Sequence, residues 1–136
     1  MARGKKTVHE AAGPVTVSVD NTAQAYLEVL RDRGVQYFFG NAGTDFAPLI
    51  DGFARFAAEG KETPRPVLVP HEFAAVSMAH GYAMVTGQPQ VVMVHVNVGT
   101  SNALTGIINA SRAQIPLIFT AGRTPITEGE MRGGRN

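Results

Sequence analysis

Apolar residues gather in four short runs along the chain: "VQYFFG" (35–40), "PVLVP" (66–70), "QVVMVHV" (90–96) and "PLIFTAG" (116–122). Each is rich in β-branched, aromatic or aliphatic residues and bounded by Gly, Pro or polar positions, so each predicts a buried strand. The third is near-continuously apolar, which suits a strand covered on both faces. Between the runs the spacing changes to that of a helix. "DNTAQAYLEVLRDRGV" predicts a helix with Tyr26, Leu27 and Leu30 as its apolar stripe, capped by Asp20 or Asn21 and stopped at Gly34. "APLIDGFARFAAEG" predicts a second, with Leu49, Ile50, Phe53 and Phe56 facing inward and Gly60 at its end. A third is expected from about Phe73 to Thr86, closed by Gly87, and a fourth over "SNALTGIINASR" (101–112).

Strands alternating with helices at short spacing predict an α/β domain: a doubly wound parallel sheet with helices on both faces. The expected organisation is a flexible arm over 1–19, a domain over 20–125, and a polar, Gly-rich tail over 126–136 that leads toward missing parts. The domain itself is expected to be truncated.

Composition narrows the function classes. The chain has 136 residues, of which 44% are hydrophobic but only 17% charged, against roughly 25% charged in ordinary soluble domains. Scarce charge predicts that other subunits or domains cover much of the surface. A net charge of +1 argues against electrostatic capture of nucleic acid or a membrane surface. The absence of cysteine excludes disulfides and thiolate zinc sites. The basic start "MARGKKTVHEAAGP" lacks the apolar core of a secretory signal. No apolar run is long enough to span a bilayer. The expected compartment is the cytoplasm.

In a doubly wound sheet, ligands collect at the carboxyl ends of the strands. Those ends carry "GNAGTD" (40–45), "PHEF" (70–73), "HVNVGTSN" (95–102) and "TAGRTP" (120–125). Glycines let a ligand approach the backbone, and helix N-termini offer free N–H groups. Several motifs fail on inspection. "HEFAA" has Ala75 where a zinc-protease helix needs its second histidine, and "GNAG" lacks the third glycine of a dinucleotide fingerprint. The chain contains no phosphate-loop lysine motif and no Gly-x-Ser-x-Gly elbow. Each remaining polar residue has a structural alternative. Glu72 suits a helix first turn, His95 a hydrogen-bonded core position in its apolar strand, and Asn41, Asn97 and Asn102 turns or caps. Thr44 suits a cap for the helix near Ala47. Their convergence on one edge of one sheet favours a site.

At this point a resemblance becomes visible. "FFGNAGTD", "VPHEFAAVSMAHGYAMVTGQP" and "VHVNVGTSNALTGIINASRAQIPLIFTAGRT" together resemble the pyrimidine-binding N-terminal domain of thiamine-diphosphate enzymes, the family of acetolactate synthase, pyruvate decarboxylase and benzoylformate decarboxylase. The likeness runs from Asp20 to Arg123, and the pairing of "HE" with "A-x-G-Y-A-x-x-T-G" is its most specific part. The third loop, with His95 followed by Gly99 to Asn102, is most similar to benzoylformate decarboxylase. The first loop agrees, with Ala42 and Thr44 where that enzyme has proline and serine.

The resemblance implies a catalytic role for Glu72, as the carboxyl group bonded to a ring nitrogen of the cofactor's aminopyrimidine. Desolvation should then raise its pKa. It implies His95 as the acid/base group acting on bound intermediates, and Thr44 as a contact to the substrate carboxylate. Asn41, Ala42, Gly43, Asn97, Gly99 and Asn102 would join Glu72 in lining the cofactor pocket. Thiamine diphosphate is thus the implied cofactor and a 2-oxo acid the implied substrate. Mg2+ would be held by a domain outside this chain, with no metal ligand here. The implied partners are the diphosphate-binding domain or subunit of the same enzyme and further copies in a dimer or tetramer. The activity implied is decarboxylation or carboligation, and the isolated chain is expected to be inactive. An acetolactate-synthase-like condensing enzyme, or a non-catalytic interaction module retaining the fold, are the alternatives.

Overall fold

A computed structural model describes residues 16–123. The expected tail over 126–136, and the expected arm apart from 16–19, lie outside the described residues. Helix α1 (Thr22–Asp32) begins at Asn21, whose side chain accepts the backbone N–H of Gln24 at 3.0 Å. Of the two candidate caps, the structure uses Asn21. The turn after the helix passes through Gly34 at φ +72°, a left-handed conformation that glycine adopts without steric cost. Strand β1 (Tyr37–Asn41) follows, then a single 3-10 turn (Thr44–Phe46) leading into α2 (Ala47–Ala58). The remaining elements are β2 (Arg65–Leu68), α3 (Glu72–Thr86), β3 (Val91–Val94), α4 (Val96–Arg112) and β4 (Ile118–Ala121).

All strand pairings are parallel, in the order β2-β1-β3-β4. Successive side chains of a strand point to opposite faces, so Phe38 and Val91 go to one side, Phe39 and Val92 to the other. The first side packs against α1 and α2 through Leu27, Leu30, Phe46, Leu49 and Phe56. The second packs against α3 and α4 through Ala75, Val76, Ala79 and Ala103. The predicted doubly wound α/β architecture is therefore what the chain forms. β3 is buried along its whole length, whereas β2 is an edge strand and leaves Leu68 78% exposed. The register is tied below the site by Gln90. Its fully buried side chain accepts the backbone N–H groups of Gln36 and Tyr37 at 3.0 and 2.7 Å.

Three local expectations change. β3 ends at Val94, so His95 is not a strand residue; it is the residue preceding α4, which starts at Val96 rather than Ser101. "VHVNVG" has β-branched residues that favour a strand, yet the chain turns into α4 at Val96. Gly99 lets the first turn of α4 settle onto β3, since a Cβ there would lie 2.9 Å from the Cβ of Val94. Val96 takes φ +34° to make the bend, an unusual conformation for a β-branched residue. Thr44 starts the 3-10 turn rather than capping α2, and that turn's own N-cap is Gly43. Ile50 is 61% exposed, not core; it lines an apolar groove between α2 and β2 with Phe53 and Leu68.

Candidate active site

The chain leaves β1 for β2 by way of α2 on one face, then returns past β1 to β3 by way of α3 on the other. That reversal puts a switch point between β1 and β3, where the loops diverge and a crevice opens at the carboxyl ends. Glu72 stands at this switch point, in the first position of α3. The preceding His71 caps that helix, its Nδ1 accepting the backbone N–H of Phe73 at 3.2 Å. Asn41, at the end of β1, donates from Nδ2 to Oε1 of Glu72 at 2.9 Å. Asn102, in α4, donates from Nδ2 to Oε2 at 3.1 Å. Gly99 lies against the same carboxylate, because a Cβ there would come within 3.3 Å of Oε1. Three segments distant in sequence thus close around one carboxylate that is only 5% exposed.

The electrostatics of Glu72 differ from the expectation. Burial is the largest influence and pushes its pKa up. Its own backbone N–H, the amides of Asn102 and Asn41, and nearby His71 together outweigh that, and the pKa lies below the ordinary carboxylate value. The expected rise is therefore reversed in this chain. The side chain is covered by its immediate neighbours, while little protein lies beyond them. A carboxylate has about four lone-pair sites, so the two amides leave acceptor capacity free.

His95 is the residue before α4, with its backbone carbonyl accepting from Gly99 N–H at 2.8 Å. Its Nδ1 lies 2.7 Å from Oδ1 of Asp45, in the loop after β1. Gly43 backs the imidazole so closely that any Cβ would collide with the ring. Gly122, after β4, backs the Asp45 carboxylate in the same way. Asp45 is a site residue that the sequence does not single out. The signal present is an acidic residue within "GNAGTD", but nothing in the spacing pairs it with His95 fifty positions on.

Among the described residues Ala42, Asn97 and Thr44 make no hydrogen bond to Glu72. Ala42 lines the apolar groove beside α2 with Phe46 and Leu49. Asn97 is exposed and borders a separate depression with Thr100, Gly122 and Arg123. Thr44 is exposed at the start of its 3-10 turn. Among the described residues no group of three or more His, Asp or Glu side chains is placed to hold a metal ion. No helix among them is long and apolar enough to cross a membrane.

Comparison with known proteins identifies the family. Residues 20–134 match the family described as the thiamine pyrophosphate enzyme, N-terminal TPP binding domain. Benzoylformate decarboxylase of Pseudomonas aeruginosa is 34% identical over 118 residues, covering 87% of this chain and 18% of its own length. The acetolactate synthase large subunit of Haemophilus influenzae is 38% identical over 101 residues, covering 74% of this chain and 17% of its own. Among solved structures, a thiamine diphosphate-dependent 4-hydroxybenzoylformate decarboxylase from Rhodococcus jostii superposes with a TM-score of 0.66 at 35% identity. That match covers 75% of this chain and 18% of the other. The chain belongs to the thiamine-diphosphate enzyme family, as an N-terminal cofactor-binding domain. It spans less than a fifth of the length of these relatives.

Proposed function

We propose that the chain is the pyrimidine-binding part of a thiamine-diphosphate-dependent enzyme that acts on 2-oxo acids as a decarboxylase or carboligase. The observation that carries this reading is Glu72, a buried carboxylate clamped by Asn41 and Asn102 at the switch point of the sheet. The residues present fit an aminopyrimidine. Such a ring needs a fixed carboxylate for its ring nitrogen, and Glu72 is fixed by Asn41 and Asn102 with acceptor capacity to spare.

Thiamine diphosphate, when bound, supplies the electron sink for carbon–carbon cleavage in a 2-oxo acid. Glu72 would hold the proton shared with the pyrimidine nitrogen, and Asn41 and Asn102 would fix its carboxyl plane. Closure of a neighbouring domain over the crevice would remove the remaining water and shift the balance at Glu72 toward the protonated form. His95 would move protons at Nε2, and Thr44, which is exposed, would receive the substrate carboxylate. Mg2+ and the diphosphate would be held by a domain outside this chain, so the isolated chain would not turn over. Exposed apolar residues along α3 and α4, including Met84, Val85 and Leu104, support burial against that domain or a second copy. The cytoplasm is the proposed compartment.

The deciding experiment is Glu72→Gln in the full-length protein loaded with thiamine diphosphate and Mg2+. Proton exchange at the thiazolium C2 should be lost, and exchange at the wild-type rate would refute the role of Glu72. A second reading, an acetolactate-forming condensing enzyme, is favoured by the comparable identity to acetolactate synthase subunits. Incubation with pyruvate and with benzoylformate separates the two: acetolactate without aldehyde would sink the decarboxylase reading.

A further inference from the structure

We infer that Asp45 is a positioning residue for His95, fixing which imidazole nitrogen carries the proton and which way the ring faces. A carboxylate oxygen can only accept, so the 2.7 Å contact requires His95 to donate from Nδ1. In the neutral ring this leaves Nε2 as the basic nitrogen. Two further observations support a dedicated pair. The ring is backed by Gly43 and the carboxylate by Gly122, with no room for a side chain at either position. The pair is therefore gripped between the loops that follow β1 and β4. The second oxygen of Asp45, Oδ2, is buried without a hydrogen-bond partner among the described residues. A surface ion pair would leave that oxygen in water; here Oδ2 is withdrawn from solvent, and the side chain's polar contact is with His95.

His71 provides an internal contrast. Its Nδ1 accepts a backbone N–H, so its proton must sit on Nε2. The fold thus sets opposite tautomers at two histidines of the same edge, one for a helix cap and the other for the crevice.

Neutron diffraction from deuterated protein tests the pairing directly. A deuteron on Nδ1 of His95 pointing at Asp45, with Nδ1 of His71 bare, is the expected result; a bare Nδ1 at His95 would overturn it. The catalytic consequence rests on the acid/base role proposed for His95. In the full-length enzyme, Asp45→Asn and Asp45→Ala should lower kcat about ten- to a hundredfold, as loss of an orienting partner does elsewhere, with KM held within about threefold. Unchanged kcat in a normally folded Asp45→Ala protein would refute positioning. Full activity in His95→Ala would instead remove the acid/base role itself, and the deuteron position would still decide the pairing.

Discussion

Glu72 is held entirely by donors, and this has a measurable thermodynamic sign. Its folded pKa lies below the ordinary value of 4.5, so the ionised carboxylate stabilises the fold at pH values above that figure. The contribution is lost as pH falls from there through the folded pKa. Replacing Glu72 by Gln should lower the unfolding free energy by about 1.5–3 kcal/mol at neutral pH, the scale of a hydrogen bond to a charged group. In urea melts the gap between the two proteins should narrow steadily below pH 4.5; a gap that widens there would contradict the sign. Asn102→Ala removes one of the donors, so it should raise the pKa of Glu72, which a carboxyl-carbon NMR titration can follow. The lone glutamate and the helix after it were legible in "PHEF". Its two clamping amides were not, because Asn41 and Asn102 lie 31 and 30 positions away and only the sheet brings them together.

At the scale of elements, α3 and α4 pack on the same sheet face and touch at glycine. A Cβ at Gly106 of α4 would lie 2.9 Å from both Cβ and Cγ1 of Val76 in α3. Glycine inside a helix ordinarily costs about 0.5–1 kcal/mol relative to alanine. Here that cost is accepted so that the two helices can approach. Gly106→Ala should therefore destabilise by about 1–3 kcal/mol, the usual penalty for overpacking. A Cβ added at Gly81 of α3 would meet nothing within 4 Å, so Gly81→Ala should stabilise by about 0.5–1 kcal/mol. Chemical denaturation of both variants checks the pair, and equal signs would mean that the helix contact is not what Gly106 serves. Helical spacing announces both helices, yet it does not locate the start of α4. The valines of "VHVNVG" carry strand preference, and the packing of Gly99 against the Glu72 carboxylate at the start of the helix is tertiary.

For the molecule as a whole, the candidate site lies at the switch point between β1 and β3. If another domain holds the diphosphate, as proposed, this chain should bind thiamine diphosphate poorly by itself. Calorimetric titration with thiamine diphosphate and Mg2+ should give saturable binding for the full-length protein and none for this chain alone. Tight binding by the chain would overturn the proposal that another domain holds the diphosphate. The sequence by itself determined the alternation of strands and helices, the two-sided burial of "VVMV", the left-handed glycine stops and the family resemblance. These depend on neighbours within a few residues, where periodicity and backbone sterics act. Only the tertiary structure decided the lowered pKa of Glu72, the pairing of Asp45 with His95 and the clamping of Glu72 by Asn41 and Asn102. Each of those depends on which strand ends become neighbours, and the order β2-β1-β3-β4 is set by packing across the whole sheet.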